Sequence, residues 1–378
     1  MNLDRRCAAV WAALALWQAA LAVFLYQRQS SDWFIFEAVG RGLLGRGPRT
    51  PVGTGWAVLH VYARMPRFQV GPPGLLLATP LQVLPPAQER VLACSLMASC
   101  SLVILALAGR AVTRATGSSV SLPRMAVTGG MLVVPWTVLT VKYLHLDDVL
   151  ALVLVVATLS LLLAERPAWA AFLMGTAAAS KPWAVVAFGL VVLAGPRPRM
   201  PILLAAASTC LLWWLPFFIA DGGTATALVS TDFPVSPASL AAHLGLRGWS
   251  GAWLRPLQLG VALSAGFLLG TRRPLLLLVV VLSLRCLLDV QAWPYYWAGP
   301  AVGAVVAALA GYRVGWWVLG LSVLASGPTV LRIYGASASV EAIASALLAA
   351  GLVVAVACSF RRRADAGSDT PEFLLSPA

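Results

Sequence analysis

The chain has 378 residues, 60% of them hydrophobic and only 11% charged, with a mean hydropathy of +0.84. A soluble domain carries roughly 25% charged residues, and apolar runs long enough to cross ~30 Å of hydrocarbon recur from end to end. A soluble fold is therefore excluded, and the expected class is an all-α, polytopic integral membrane protein. Barrel strands would alternate in polarity over segments of about ten residues, and these runs do not alternate. The net charge of +13 comes mostly from arginines scattered through short connections. They form no nucleic-acid patch; the partner they imply is a lipid bilayer.

The first apolar run, about 7–26, follows "MNLDRRCAAV" and lacks a small-residue cleavage site, so it reads as a retained first helix. A polar segment follows over about 27–69, with Asp32, Glu37, His60 and six arginines. Within it, "DWFIFEAVGRGLLGRG" has helical apolar spacing before its glycines, which predicts an amphipathic helix at the interface. "FQVGPPGLLLATPLQVLPP" is short and interrupted by prolines, and is expected to be juxtamembrane or re-entrant rather than crossing.

Further spans are expected near 88–109, 125–141, 147–164, 168–181, 182–195, 200–220, 254–270, 274–290, 294–312, 314–331 and 338–359. With the first helix this makes about twelve crossings. They form one transmembrane domain over 1–360, and 361–378 is expected to be a disordered cytoplasmic tail. Six cysteines (Cys7, Cys94, Cys100, Cys210, Cys286, Cys358) show no CxxC or metal spacing and read as small apolar residues.

Arg5 and Arg6, Arg110, Arg114 and Arg124, Arg166, Arg197 and Arg199, Arg272 and Arg273, Arg313 and Arg361 to Arg363 all fall on one side of this topology. The positive-inside rule makes that side cytoplasmic. The first long loop then faces outward although it carries six arginines. Asp32, Glu37, Asp147, Asp148, Asp221, Asp232, Asp289 and both lysines, Lys142 and Lys181, fall on the outer side. Any chemistry is therefore expected at the extracytoplasmic face.

Asp32 is either a general base for an acceptor hydroxyl, its pKa raised by partial burial, or an N-cap before the amphipathic helix. In "KYLHLDD", His145, Asp147 and Asp148 either bind sugar hydroxyls, hold a metal or move a proton, or form a polar turn whose acids favour the next helix start. Lys181 is the one lysine in some twenty apolar positions and is followed directly by Pro182. Such a charge costs about 2.5–3.5 kcal/mol unless it meets water or an anion. It therefore either seats a phosphate at a broken helix or snorkels to the interface. His243, Arg247 and Arg255 lie in or beside the second long outer loop, as phosphate contacts or as solvated loop residues. Trp293, Tyr295 and Tyr296 read first as an aromatic belt and second as a sugar-stacking surface. No Walker, GxGxxG or zinc signature is present.

An Asp soon after the first helix, "PPG", "LHLDDVLAL", "GTAAASKPWA" and a late "WPYY" together resemble the GT-C superfamily of polyprenyl-phosphate-sugar-dependent glycosyltransferases. The actinobacterial, mannosyltransferase-like glycosyltransferase family 87 is the nearest group. The resemblance spans about Asp32 to Tyr296 and rests on the order and spacing of short motifs. It implies a GT-C module with interfacial helices in the first outer loop and an inverting sugar transfer, commonly of mannose. The sugar would pass from a polyprenyl-phosphate donor to a lipid or glycan acceptor. It also implies Asp32 as base, Asp147 and Asp148 in the second-loop polar site, and Lys181 on the donor phosphate. Many relatives carry Gly-Gln-x-Asn where this chain has its two aspartates. No cofactor and no metal are expected, since a leaving phosphate needs only positive charge, though the acid pair leaves Mg²⁺ or Mn²⁺ open. The rival reading is a transporter or lipid flippase, for which Arg285, Arg332 and Glu341 speak; a structural subunit would leave the outer cluster unexplained.

Overall fold

The computed structural model describes residues 3–26, 33–46, 54–65, 68, 70–194, 198–229, 235–237, 239–245, 254–269, 273–289, 291–331, 333 and 339–352. These residues are all-helical. In chain order the helices begin with α1 (Leu3–Tyr26), α2 (Trp33–Leu43), a 3₁₀ turn (Gly55–His60), α3 (Val61–Arg64), α4 (Pro72–Ala78) and a second 3₁₀ turn (Thr79–Val83). They continue with α5 (Pro86–Thr116), α6 (Leu122–Thr137), a π turn (Val138–Lys142), α7 (Leu146–Leu162), α8 (Pro167–Ser180) and a long 3₁₀ segment (Pro182–Ala194). Then follow α9 (Arg199–Ala220), α10 (Gly223–Val229), α11 (Leu240–His243), α12 (Leu254–Leu269) and α13 (Pro274–Leu288). The last are a 3₁₀ turn (Pro294–Trp297), α14 (Ala298–Leu309), α15 (Arg313–Leu331) and α16 (Ser339–Leu352).

Five helices are long and apolar enough to cross a membrane: Arg5–Tyr26, Pro86–Thr116, Leu122–Lys142, Arg199–Ala220 and Arg313–Leu331. This is the pattern of a multi-pass membrane protein. Among the described residues the other expected crossings correspond to shorter apolar segments, so five of the expected twelve spans are shown, and 353–359 of the last lies outside the described residues. The 14 residues of α8 rise only about 21 Å. The segment expected to cross at 182–195 is 3₁₀ over 13 residues, and its steeper rise extends it to about 26 Å.

The proline-rich segment forms no crossing helix, as expected. Pro72 and Pro73 start α4, whose seven residues are far too few to cross. α2 is amphipathic, with Trp33, Phe36 and Val39 buried and Phe34 exposed. It packs on α4 and on the turn that follows α4. A polar network fixes it there: the Trp33 indole and the Gln82 amide (2.7 Å) both donate to Oε1 of the buried Glu89. Arg41 pairs with Glu37 at 2.8 Å, and Arg90 lies 3.4 Å from the same carboxylate. Arg41, one of the six arginines of 27–69, is thereby paired with an acid.

In the hydrocarbon region the helices are held by small residues and shared polar side chains. Gln18 of α1 donates to Thr137 of α6 (2.5 Å) and accepts from Ser101 of α5 (3.1 Å). At the arginine-bearing end, Arg114 donates to the Ser160 carbonyl (3.0 Å) and Arg124 to the Leu309 carbonyl (3.1 Å). These guanidiniums meet the carbonyl ends of α7 and α14, where the helix dipole favours positive charge.

Candidate functional site

At the opposite end, four chain breaks converge. The first is built by "VKYLHLDD". The helix loosens into a π turn over Val138–Lys142, and the buried Leu144 then adopts φ +52°. A left-handed leucine is strained, and such strain concentrates at functional sites. Past it, His145 stands at the start of α7 and Asp147 and Asp148 occupy its first turn, where the dipole favours acids. His145 makes no side-chain cap, and Asp147 Oδ1 accepts instead from the Asp148 amide at 3.0 Å.

The second break is at Lys181. The residue before a proline is driven out of the α region, and Lys181 is extended (φ −146°, ψ 124°) between α8 and the 3₁₀ segment. Its ammonium neither snorkels nor stands free: Nζ lies 2.6 Å from Asp147 Oδ2 and 3.3 Å from Asp148 Oδ2. The lysine and both carboxylates are buried. Two residues on, the Trp183 indole donates to Asp148 Oδ1 at 2.6 Å.

The third break ends α13, where Arg285 and Asp289 sit one turn apart, both buried, with Nη2 3.6 Å from Oδ2. The Arg285 guanidinium lies over the rings of Tyr296 (4.2 Å) and Trp183 (4.9 Å), a desolvated cation–π contact. The fourth is the 3₁₀ turn at Pro294. Trp293 is exposed like a belt residue, whereas Tyr295 is buried and Tyr296 turns inward. His145 stacks on Tyr295 at 4.1 Å, and its Nδ1 lies 3.7 Å from Asp147 Oδ1 and 3.6 Å from Asp148 Oδ2. A small cavity lined by Asp148, Trp183, Arg285, Tyr295 and Tyr296 lies at the centre.

The segment that carries α4 packs over this cluster. Gly71 donates its amide to the Ser180 carbonyl at 2.9 Å, and Gly74 packs against the Cβ and Cα of Asp147. A Cβ on Gly71 would overlap the Ala179 carbonyl oxygen, so glycine is required for the approach. Further out, His60 Nδ1 lies 2.9 Å from Asp221 Oδ2 and ties this loop to the chain after α9. That hydrogen bond, aided by the Gly223 amide, holds the Asp221 carboxyl below its ordinary pKa.

Of the residues singled out from sequence, His145, Asp147, Asp148, Lys181, Tyr295 and Tyr296 therefore meet in one place. His243 does not join them; it is exposed, with Nδ1 2.9 Å from the Ser239 carbonyl of its own turn. Asp32, Arg247 and the Arg255 side chain lie outside the described residues, as does the tail. Trp183 was missed by sequence reasoning, and Arg285 and Asp289 were not joined to the site. An i,i+4 Arg–Asp pair closing an apolar run was the available signal.

Ligand-type atoms of His145, Asp147 and Asp148 lie within 4.8 Å of one another. Lys181 already supplies the cation between the same two carboxylates. A divalent ion fits this arrangement only by displacing the ammonium. The formal charge over Asp147, Asp148, Lys181, Arg285 and Asp289 is negative, so Lys181 in this position neutralises acids and is not a ready phosphate seat. What the arrangement offers is a desolvated set of carboxylate acceptors and aromatic faces around a cavity of about 10 Å³. No protein-family model and no curated protein matches this chain.

Proposed function

We propose that this chain is a membrane glycosyltransferase of GT-C type, transferring a sugar, mannose in the first instance, from a polyprenyl-phosphate donor to a lipid or glycan acceptor outside the cytoplasm. One observation carries the reading. The polar cluster of His145, Asp147, Asp148 and Lys181 is buried at one end of the bundle, beneath the non-crossing helix that begins at Pro72. Four of the five motifs behind the family resemblance, "PPG", "LHLDDVLAL", "GTAAASKPWA" and "WPYY", meet there, and the fifth, Asp32, lies outside the described residues.

In this reading Asp32 takes the proton from the acceptor hydroxyl as its oxygen attacks the anomeric carbon. The bond from that carbon to the donor phosphate oxygen breaks, the electron pair leaves with the phosphate, and the anomeric centre inverts. Asp147 and Asp148 accept from sugar hydroxyls, and Tyr295 and Tyr296 offer ring faces. Lys181 reaches the phosphate only by leaving Asp147, so the leaving group's charge falls first to Arg247 and Arg255.

The test is transfer from radiolabelled polyprenyl-phosphate mannose in membranes carrying the full chain. Loss of a general base costs roughly 10²–10⁴-fold, and Asp32→Asn is expected to fall in that range. Transfer by Asp32→Asn at the parent rate removes the mechanism. The transporter or flippase reading is favoured by one observation, the two buried cation–carboxylate pairs at Lys181 and Arg285. It expects lipid or solute translocation by the parent with no transfer of label.

A further inference from the structure

A second site lies at the arginine-bearing end, away from the polar cluster. Where α5 ends and α6 begins, a cleft of about 450 Å³ is lined by Trp11, Arg110, Thr113, Arg114, Ser119 and Met125, among others. No acidic residue lines it. Arg110 and Arg114 are i and i+4 on α5, one turn apart, and like charges at that spacing repel when nothing lies between them. Arg114 uses Nη1 for both of its bonds, to the Ser160 carbonyl and hydroxyl. Arg110 is exposed and makes no hydrogen bond or ion pair among the described residues.

We propose that this cleft binds the phosphate headgroup of an anionic phospholipid from the adjoining leaflet. Guanidiniums match phosphate oxygens with paired donors, and Thr113 and Ser119 add hydroxyls. The cleft walls are apolar where α1 and α6 meet α5, with the Trp11 indole as an interfacial side chain. Basic clefts between membrane helices on the cytoplasmic side recognise anionic headgroups in this way. The occupant is lipid, because the cleft opens at the end of a spanning helix where headgroups lie. The proposal stands on these residues alone and does not depend on the glycosyl-transfer reading.

The experiment uses the full chain in detergent, titrated with phosphatidylglycerol, phosphatidylcholine or inorganic phosphate, and follows thermal unfolding and bound lipid by native mass spectrometry. Phosphatidylglycerol is expected to bind and raise the melting temperature, while phosphatidylcholine and inorganic phosphate do neither. Each arginine near the lipid surface contributes about 1 kcal/mol, so Arg110→Gln is expected to weaken phosphatidylglycerol binding roughly five-fold. Ser119→Glu, which puts an acid in the cleft, is expected to abolish it. Arg110→Lys keeps the charge and loses the fork, so its affinity should fall between parent and glutamine variant. Arg313→Gln, at the same end but outside the cleft, should bind as the parent does. Equal binding of both lipids, saturation by inorganic phosphate alone, or an unchanged affinity in both Arg110→Gln and Ser119→Glu would each overturn the proposal.

Discussion

Lys181 and Asp147 form the central contact of the site, with side chains 11% and 0% exposed and 2.6 Å between Nζ and Oδ2. Removing one partner of such a buried pair leaves an uncompensated charge and typically costs 3–5 kcal/mol, whereas replacing both is far milder. Lys181→Met is therefore expected to destabilise the protein by about that amount, and Lys181→Met combined with Asp147→Asn to recover a large part. A thermal-melting double-mutant cycle in detergent checks this, and additive losses would mean that the two side chains do not act as a pair. Each charge was legible in the sequence as a costly exception in an apolar run. Their partnership was not, because 34 residues separate them and the contact depends on how α7 meets the end of α8. The same holds for Trp183, whose role depends on the chain turning at Pro182 towards Asp148.

At the scale of elements, the prolines and glycines carried most of the readable information. Pro72 and Pro73 announced a short helix that does not cross, and Pro182 announced the break at Lys181. Apolar pattern alone could not tell a 3₁₀ segment at Pro182–Ala194 from a full crossing helix, since both are uniformly hydrophobic. The packing of α4 on the site makes a graded prediction. A Cβ on Gly71 meets the backbone of Ala179 and Ser180, which cannot give, while one on Gly74 meets Asp147 Cβ at 3.3 Å. Gly71→Ala is expected to cost about 1–3 kcal/mol through overpacking, and Gly74→Ala less; melting temperatures in the opposite order would place α4 elsewhere. The clip between His60 and Asp221 gives a pH signature. The Asp221 carboxyl is held below its ordinary pKa, so the clip contributes above the usual carboxylate range and is lost as pH falls through that lowered value. The melting difference between parent and Asp221→Asn should be present near neutrality and vanish in acid. A difference that persists unchanged in acid would show that the carboxylate's charge is not what holds the loop.

Over the whole molecule, the ion pairs and helix-end contacts of the described residues named above lie at two ends. Lys181, Asp147, Asp148, Arg285 and Asp289 gather where α7 starts and α8 and α13 stop. Arg114 and Arg124 serve the carbonyl ends of α7 and α14 at the other. This separation is what antiparallel alternation of the helices requires, and the proposed function needs the charged cluster outside, as the positive-inside rule predicts. Gly222 is exposed beside the His60–Asp221 clip, and a side chain there meets nothing within 4 Å. Ser118 is exposed in the turn between α5 and α6. With the six native cysteines replaced, Gly222→Cys is expected to react with an impermeant maleimide in intact cells. Ser118→Cys is expected to react only after permeabilisation. The reverse pattern would put the polar cluster in the cytoplasm and remove the extracytoplasmic donor from the proposed reaction, leaving the anionic-lipid cleft to the outer leaflet. Labelling of both from one side would break the alternation itself, because Arg114 could then not lie at the opposite end of α7 from Asp147.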